Sequence, residues 1–346
     1  MPIAFMPSRD AAPRYAVFGK LPQRADFVRI DGGGHPVVQA FDDLLARSLA
    51  FASRQPDWDE KHILSQGPCD FQLTSDDGRE CFTGVLHPSR DKTGRIFPLV
   101  AGVILPAQAI VPHSPELTIA NELFFSGLRE QLASAVDHAV DLIACRQFLD
   151  TWTVANPHAR DDIELASQIL ARHLKQTSAS RWHVALMDAG LGGLDDCLLA
   201  HIFQDSAAAW RAVAPALLPL SGTQGEDTLD QAAWLALYRA ASGRGAHAPD
   251  YLCAMRDGRR YLAILPTRSS GEYGLAALWG VQPGLPAEGD DIPPHPAQAD
   301  AAWTLARQLQ NPALDLAALV EILARIAREL ADKPSRSSPF NFSFTH

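Results

Sequence analysis

An α/β fold is predicted by three features of the sequence. Apolar runs of strand length lie in FTGVL and RIFPLVAGVIL, within residues 82–105. Segments with apolar residues spaced by three and four, such as 36–52 and 315–330, read as helices on either side of them. A third stretch, YLCAMRDGRRYLAIL at 251–265, alternates about Asp257-Gly258, the dipeptide suited to a tight hairpin. With 346 residues the chain has room for two domains, expected at 1–160 and 161–346. The first reads as an α/β domain, and the second as helix-rich with a small antiparallel β patch.

In chain order, residues 1–14 look loose, YAVFGKLP (15–22) is a short strand, and ADFVRI (25–30) is extended. DGGGHP then interrupts, with Pro36 suited to the first turn of a helix. Val37, Val38, Phe41, Leu44, Leu45, Ser48 and Leu49 give that helix one buried face. FQLT (71–74), CFTGVL (81–86) and RIFPLVAGVIL (95–105) read as strands, and the last is apolar enough for burial on both faces. Pro98 cannot donate to a ladder, so the central part is expected to be Leu99–Leu105.

Residues 116–149 carry the helical period as one long or two consecutive helices. ANPHARDD (155–162) is a junction, and helices follow at 163–175 and 228–241. YGLAALWG (273–280) would be a third strand beside the hairpin. Residues 282–298 form a Pro-rich linker, and helices close the chain. Leu316, Leu319, Val320, Leu323, Ile326, Ala327 and Leu330 line one face of the last helix. The tail 333–346 is read as mobile, with Phe340, Phe342 and Phe344 on one side of an extended chain.

The chain is 47% hydrophobic and 20% charged, a globular composition. Its formal net charge of −10 argues against general binding to nucleic acid or anionic membranes. No apolar run is long enough for membrane insertion, and the first residues make a poor secretion signal. Five cysteines at 69, 81, 145, 197 and 253 are odd in number and form no CxxC. That spacing points to free thiols in a reducing compartment, so a cytoplasmic location is expected.

Catalytic motifs are missing: there is no GxSxG, HExxH or GxxxxGK[ST]. No catalytic residue, cofactor or metal is expected. GGGH (32–35) before a helix resembles a phosphate cradle, but a dinucleotide fingerprint would need glycine where Val37 stands. The loop PSRDKTGR (88–95) holds Arg90, Lys92 and Arg95, which could grip an acidic or phosphorylated partner. Asp91 offsets part of that charge, and Pro88 and Gly94 suit a turn, which residue chemistry alone favours. An anion-handling enzyme using both loops is the alternative, as is a structural subunit of a larger apparatus.

Two blocks together resemble the TagF/ImpM family of bacterial type VI secretion. FGKLPQRADFVR (18–29) is similar to its opening signature, through Gly19, Lys20, Pro22, Arg24, Asp26, Phe27 and Val28. FTGVLHPSRDKTGRIFPLVAGVIL (82–105) is similar to its second, through Gly84, Val85, Pro88, Ser89, Asp91, Gly94, Arg95, Phe97, Pro98 and Leu99. Ala25 replaces a usual glycine, and Phe41-Asp42 stands where the family often has Trp-Asp. The resemblance covers about residues 15–150 and fades beyond.

The resemblance implies a three-layer α/β sandwich with a mixed β-sheet flanked by helices. It also implies a cytoplasmic regulator, a repressor of apparatus assembly or firing, acting after translation and not as an enzyme. Its implied partner is the forkhead-associated scaffold protein of the system. Candidate interaction residues are Lys20, Arg24, Asp26, Phe27, Ser89, Arg90, Asp91, Gly94, Arg95 and Phe97. Asp91 is expected to cap its own loop, and Arg95 to pair inward with Asp26, joining the two blocks.

Overall fold

This computed structural model describes residues 14–138, 142–154, 160–188, 194, 217–221, 223, 225–242, 250–256, 258–265, 274–281 and 296–331. Outside them lie the expected loose start, most of the 155–162 junction, linker residues 282–295, the tail with its three phenylalanines, Cys197 and Asp257. Residues 296–298, assigned above to the linker, open a helix instead.

The strands are β1 (Tyr15–Gly19), β2 (Val28–Ile30), β3 (Cys69–Thr74), β4 (Glu80–His87), β5 (Leu99–Pro106), β6 (Leu217–Pro219), β7 (Asp250–Arg256) and β8 (Arg259–Leu265). They form one eight-stranded sheet in the order β2-β1-β5-β4-β3-β7-β8-β6. Every pairing in it is antiparallel, so the α/β class holds but the mixed sheet does not. The reason is connectivity. β1–β2, β3–β4, β4–β5 and β7–β8 are joined by direct links too short for the crossover that parallel neighbours need.

The β patch of the second half is likewise not separate. Tyr251, Leu252, Cys253 and Ala254 of β7 pair with Gln72, Phe71, Asp70 and Cys69 of β3. They cover a strand edge whose N–H and C=O groups would otherwise be unpaired. The sheet therefore runs across the boundary drawn at 160.

YGLAALWG is also not a strand: residues 274–278 are helical. Leu275, Leu278 and Trp279, three and four positions apart, pack into the sheet's core. That helical face outweighed the strand propensity of the run.

Helices cover both faces. On one face lies α1 (Pro36–Ala52), followed by the short α2 (Glu60–Leu64). Val37, Val38, Phe41, Leu44 and Leu45 of α1 meet Phe18, Phe71, Phe82 and Val100 from the sheet. Phe41 stacks on Phe71 with ring centroids 4.1 Å apart. Each such side chain contributes about 1.5–3 kcal/mol on burial.

After β5 come a short α3 (Ala107–Ile110), α4 (Ser114–Ala120), α5 (Glu122–Asp137) and α6 (Ile143–Val154). α5 and α6 cover the opposite face, where Phe124, Phe125, Leu128, Leu132 and Leu149 meet Tyr15, Val17, Val85, Leu99, Ala101 and Val103. The same face continues under α7 (Arg160–Gln176), α8 (Ala179–Asp188), α9 (Glu226–Ser242) and α11 (Leu316–Ala331), with α10 (Pro296–Leu309) adding Leu305 to that core. Layering is thus helix, sheet, helix, as the resemblance implied.

The period of two along each strand sorts residues between these layers. In β3, Cys69, Phe71 and Leu73 face α1. Asp70 and Gln72, also buried, must face α5 and α9.

Candidate functional site

The two signature blocks meet at one end of the sheet. β1 delivers the first as the loop 20–27, and β4 and β5 deliver the second as the loop 88–98. The blocks approach closely where β1 ends. A Cβ on Gly19, which sits at φ 130°, would lie 2.1 Å from the Pro98 carbonyl oxygen. No other residue type fits there without moving one strand.

Asp91 organises both loops. Its side chain is fully enclosed. Oδ1 accepts from the Thr93 N–H at 2.9 Å, the Thr93 hydroxyl at 2.6 Å and the Arg95 N–H at 3.0 Å. Oδ2 accepts from Arg95 Nε at 2.7 Å and lies 3.2 Å from Lys20 Nζ. Desolvation works against this charge. The bonds from Thr93, the Arg95 backbone, Lys20 and the Arg95 side chain outweigh it and hold the carboxyl well below the usual carboxylate range.

Backbone bonds finish the turn. Gly94 N–H donates to the Asp91 carbonyl at 3.0 Å, with Gly94 at φ 91°, and Phe97 N–H donates to the Ser89 carbonyl at 3.0 Å. Three further bonds stitch loop to loop. The Ser89 hydroxyl donates to the Lys20 carbonyl at 2.8 Å, Lys92 N–H to the Arg24 carbonyl at 2.8 Å, and an Arg95 Nη to the Ala25 carbonyl at 2.8 Å.

The expected Asp26–Arg95 pair is not what joins the blocks. Arg95 does cross to the first loop, but it binds the backbone of Ala25 while its Nε stays on Asp91. Asp26 is left exposed. Arg95 is held by the carboxylate four residues before it, which needs no long-range partner. Thr93, a donor to Asp91, was not among the sequence candidates.

Above this frame sits a small aromatic ridge. Phe27 stays 39% exposed, and its ring meets Phe97 edge-on at 5.3 Å. The Arg29 guanidinium carbon lies 5.7 Å from the Phe27 ring centre. Arg29 also binds Asp42 of α1 at 2.6 Å, anchoring the first block to the helix behind it. Burial raises the pKa of Asp42, and Arg29 partly offsets that rise. Arg24, Arg90 and Lys92 are exposed, and their side chains form no ion pair among the described residues.

The GGGH turn meets this assembly through Arg29 and not as an anion cradle. His35 N–H closes the turn on the Gly32 carbonyl at 2.9 Å, and the Gly33 carbonyl accepts from Arg29 at 2.9 Å. A carbonyl bound to a guanidinium is the opposite of an anion cradle. His35 Nε2 lies 2.9 Å from Glu80 Oε2. Glu80 borders a basin of about 350 Å³ with Arg14, Asp77, Arg79 and Pro106. A second cavity of about 180 Å³ lies between α8, α9 and β8, lined in part by Trp182, Trp234, Asp230 and Arg259. Neither includes a residue of PSRDKTGR or of GGGH. No group of His, Cys, Asp and Glu among the described residues is arranged to hold a metal.

A second polar centre, absent from the sequence reading, lies inside the molecule. Asp70 of β3 is 2% exposed. Arg129 of α5 grips it with two bonds of 2.8 and 2.7 Å, and Arg260 of β8 binds the same carboxylate. Arg129 also reaches Glu122 at 3.1 Å, and Glu122 accepts from the Thr228 hydroxyl of α9 at 3.0 Å. Desolvation pulls against the charge on Arg129, but Asp70 and then Glu122 more than restore it, so its pKa rises. The available signal was the alternation in CDFQLT, which places Asp70 on a face that is otherwise core.

Comparison with known proteins agrees with the signatures. Residues 16–152 match the TagF N-terminal domain, type VI secretion system-associated. This span runs from β1 into α6 and contains both loops. Among solved structures, PA0076 from Pseudomonas aeruginosa PAO1 is similar at 18% identity, over 82% of this chain and 98% of that one, with a TM-score of 0.37. No curated protein matches the chain. The amino-terminal region is thus similar to the TagF N-terminal domain of type VI secretion-associated proteins. No described helix is long and apolar enough to cross a membrane.

Proposed function

We propose, from its likeness to the TagF domain, that this chain regulates type VI secretion by binding another protein and performs no bond chemistry at its signature loops. The observation that carries this reading is how Asp91, Lys20 and Arg95 are used. They bind one another and the backbones of two loops, which builds shape and occupies the acidic and both basic side chains of the frame. What faces outward is Phe27 with a set of cations that form no ion pair among the described residues, a contact surface on a rigid scaffold.

The resemblance supplies the partner and direction: the forkhead-associated scaffold of the apparatus, bound in the cytoplasm so that assembly or firing is restrained. Co-purification of the full chain with that scaffold, together with secretion measured in a deletion strain, tests the reading. The expected result is stable association and raised secretion after deletion. Unchanged secretion and absence of association would overturn it.

A further inference from the structure

The ridge formed by the two signature loops has a charge opposite to that of the whole molecule. Residues 20–27 and 88–97 hold five cations, Lys20, Arg24, Arg90, Lys92 and Arg95, against two carboxylates, Asp26 and Asp91, for a net +3 in a chain of net −10. Asp91 already engages Lys20 and Arg95. That leaves Arg24, Arg90 and Lys92 exposed on the same two loops as Phe27 and Phe97, whose rings meet, with Asp26 also exposed there. The backbones beneath them are locked together through Lys92 to Arg24 at 2.8 Å.

We propose that this ridge binds an acidic protein segment carrying an aromatic or aliphatic side chain between carboxylates. The proposal rests on the reading of the chain as a protein-binding regulator and adds the chemistry of the segment it takes. Guanidinium groups and carboxylates form the strong, charge-assisted hydrogen bonds that Arg24 and Arg90 lack among the described residues. An apolar side chain would cover Phe27, whose ring already rests on Phe97. Because Asp91 holds both loops, little ordering is needed on binding. The acidic remainder of the molecule repels phosphate backbones, and three cations on two short loops make a poor nucleic-acid track.

Fluorescence anisotropy with the full chain tests this directly. The probes are a short labelled peptide of alternating Asp and Phe, the same peptide with Asn for Asp, and a single-stranded oligothymidylate. The acidic aromatic peptide should bind roughly tenfold or more tighter than the other two, and more weakly as salt rises. Arg24→Glu/Arg90→Glu/Lys92→Glu should lose roughly tenfold or more of that affinity, and Phe27→Ala several-fold, with unfolding midpoints unchanged. Arg24→Lys/Arg90→Lys should retain most of it. Equal binding of the neutral peptide or the oligonucleotide, no binding of the acidic one, or indifference to charge reversal would overturn the proposal.

Co-purification with the forkhead-associated scaffold separates the two claims. A scaffold that binds wild type and triple variant alike sinks this surface and leaves the regulator reading standing. Expected peptide behaviour with no scaffold association does the reverse.

Discussion

Asp91 and Asp70 are both enclosed carboxylates held by two cations, yet they do different work. The donors to Asp91 come from its own turn and from the loop beside it, so the group shapes one end of the sheet. Asp70 draws Arg129 from 59 residues away and Arg260 from 190 residues away, tying β3, α5 and β8 together. One network shapes a surface for contact, and the other fixes how two halves of the chain share a sheet. A carboxylate with local partners can be lost while the fold survives. One at a junction of distant elements cannot, because two buried guanidinium groups would lose the carboxylate they share.

The sharpest way to break the comparison is Asp70→Ala. It should destabilise the whole molecule by about 3–5 kcal/mol, the cost typical of removing one partner from a buried ion pair. Urea unfolding followed by both tryptophan fluorescence and far-UV circular dichroism would read this, with the two probes moving together. A loss confined to one probe would mean that the halves fold independently. Asp91→Ala should cost less and act locally. Hydrogen exchange should accelerate at the amides of Thr93, Arg95 and Phe97 while those of β4 and β5 keep their protection.

Gly94→Ala is expected to be smaller again. At φ 91° a side chain is strained, with no neighbour within 4 Å to clash, so the penalty is backbone strain alone. That strain amounts to about 1 kcal/mol, visible as a modest fall in unfolding midpoint. The smallest effect is in pH. Because the folded pKa of Asp91 is depressed, its contribution is fully present above the ordinary carboxylate pKa and is lost as pH falls through the folded value. Below about pH 4 wild type should lose stability faster than Asp91→Asn, and above it the difference should be constant.

These two networks also differ in how far they could be read from the sequence. The loop was legible because its partners lie within a few residues: Asp91, Gly94 and Arg95 share one turn, and the first block follows β1 directly. Even there Arg95 was misdirected to Asp26, since a motif says which residues recur but not which atoms they bind. Helix α1 and strands β4 and β5 were legible from periodicity. The antiparallel sheet was not, because pairing of β3 with β7 depends on long-range register that no local pattern encodes. Residues 273–280 misled because short apolar runs fit strand and helix alike, and only the packing of Leu275, Leu278 and Trp279 decides. Asp70 was missed because FQLT starts the strand at Phe71, two residues after its start at Cys69.

The most direct test of the account is the affinity of the full chain for the forkhead-associated scaffold, measured for wild type and Asp91→Ala with each protein's unfolding curve alongside. The account predicts a loss of roughly tenfold or more in affinity with a single cooperative unfolding transition retained. Undiminished affinity in a variant whose loops have loosened would contradict it.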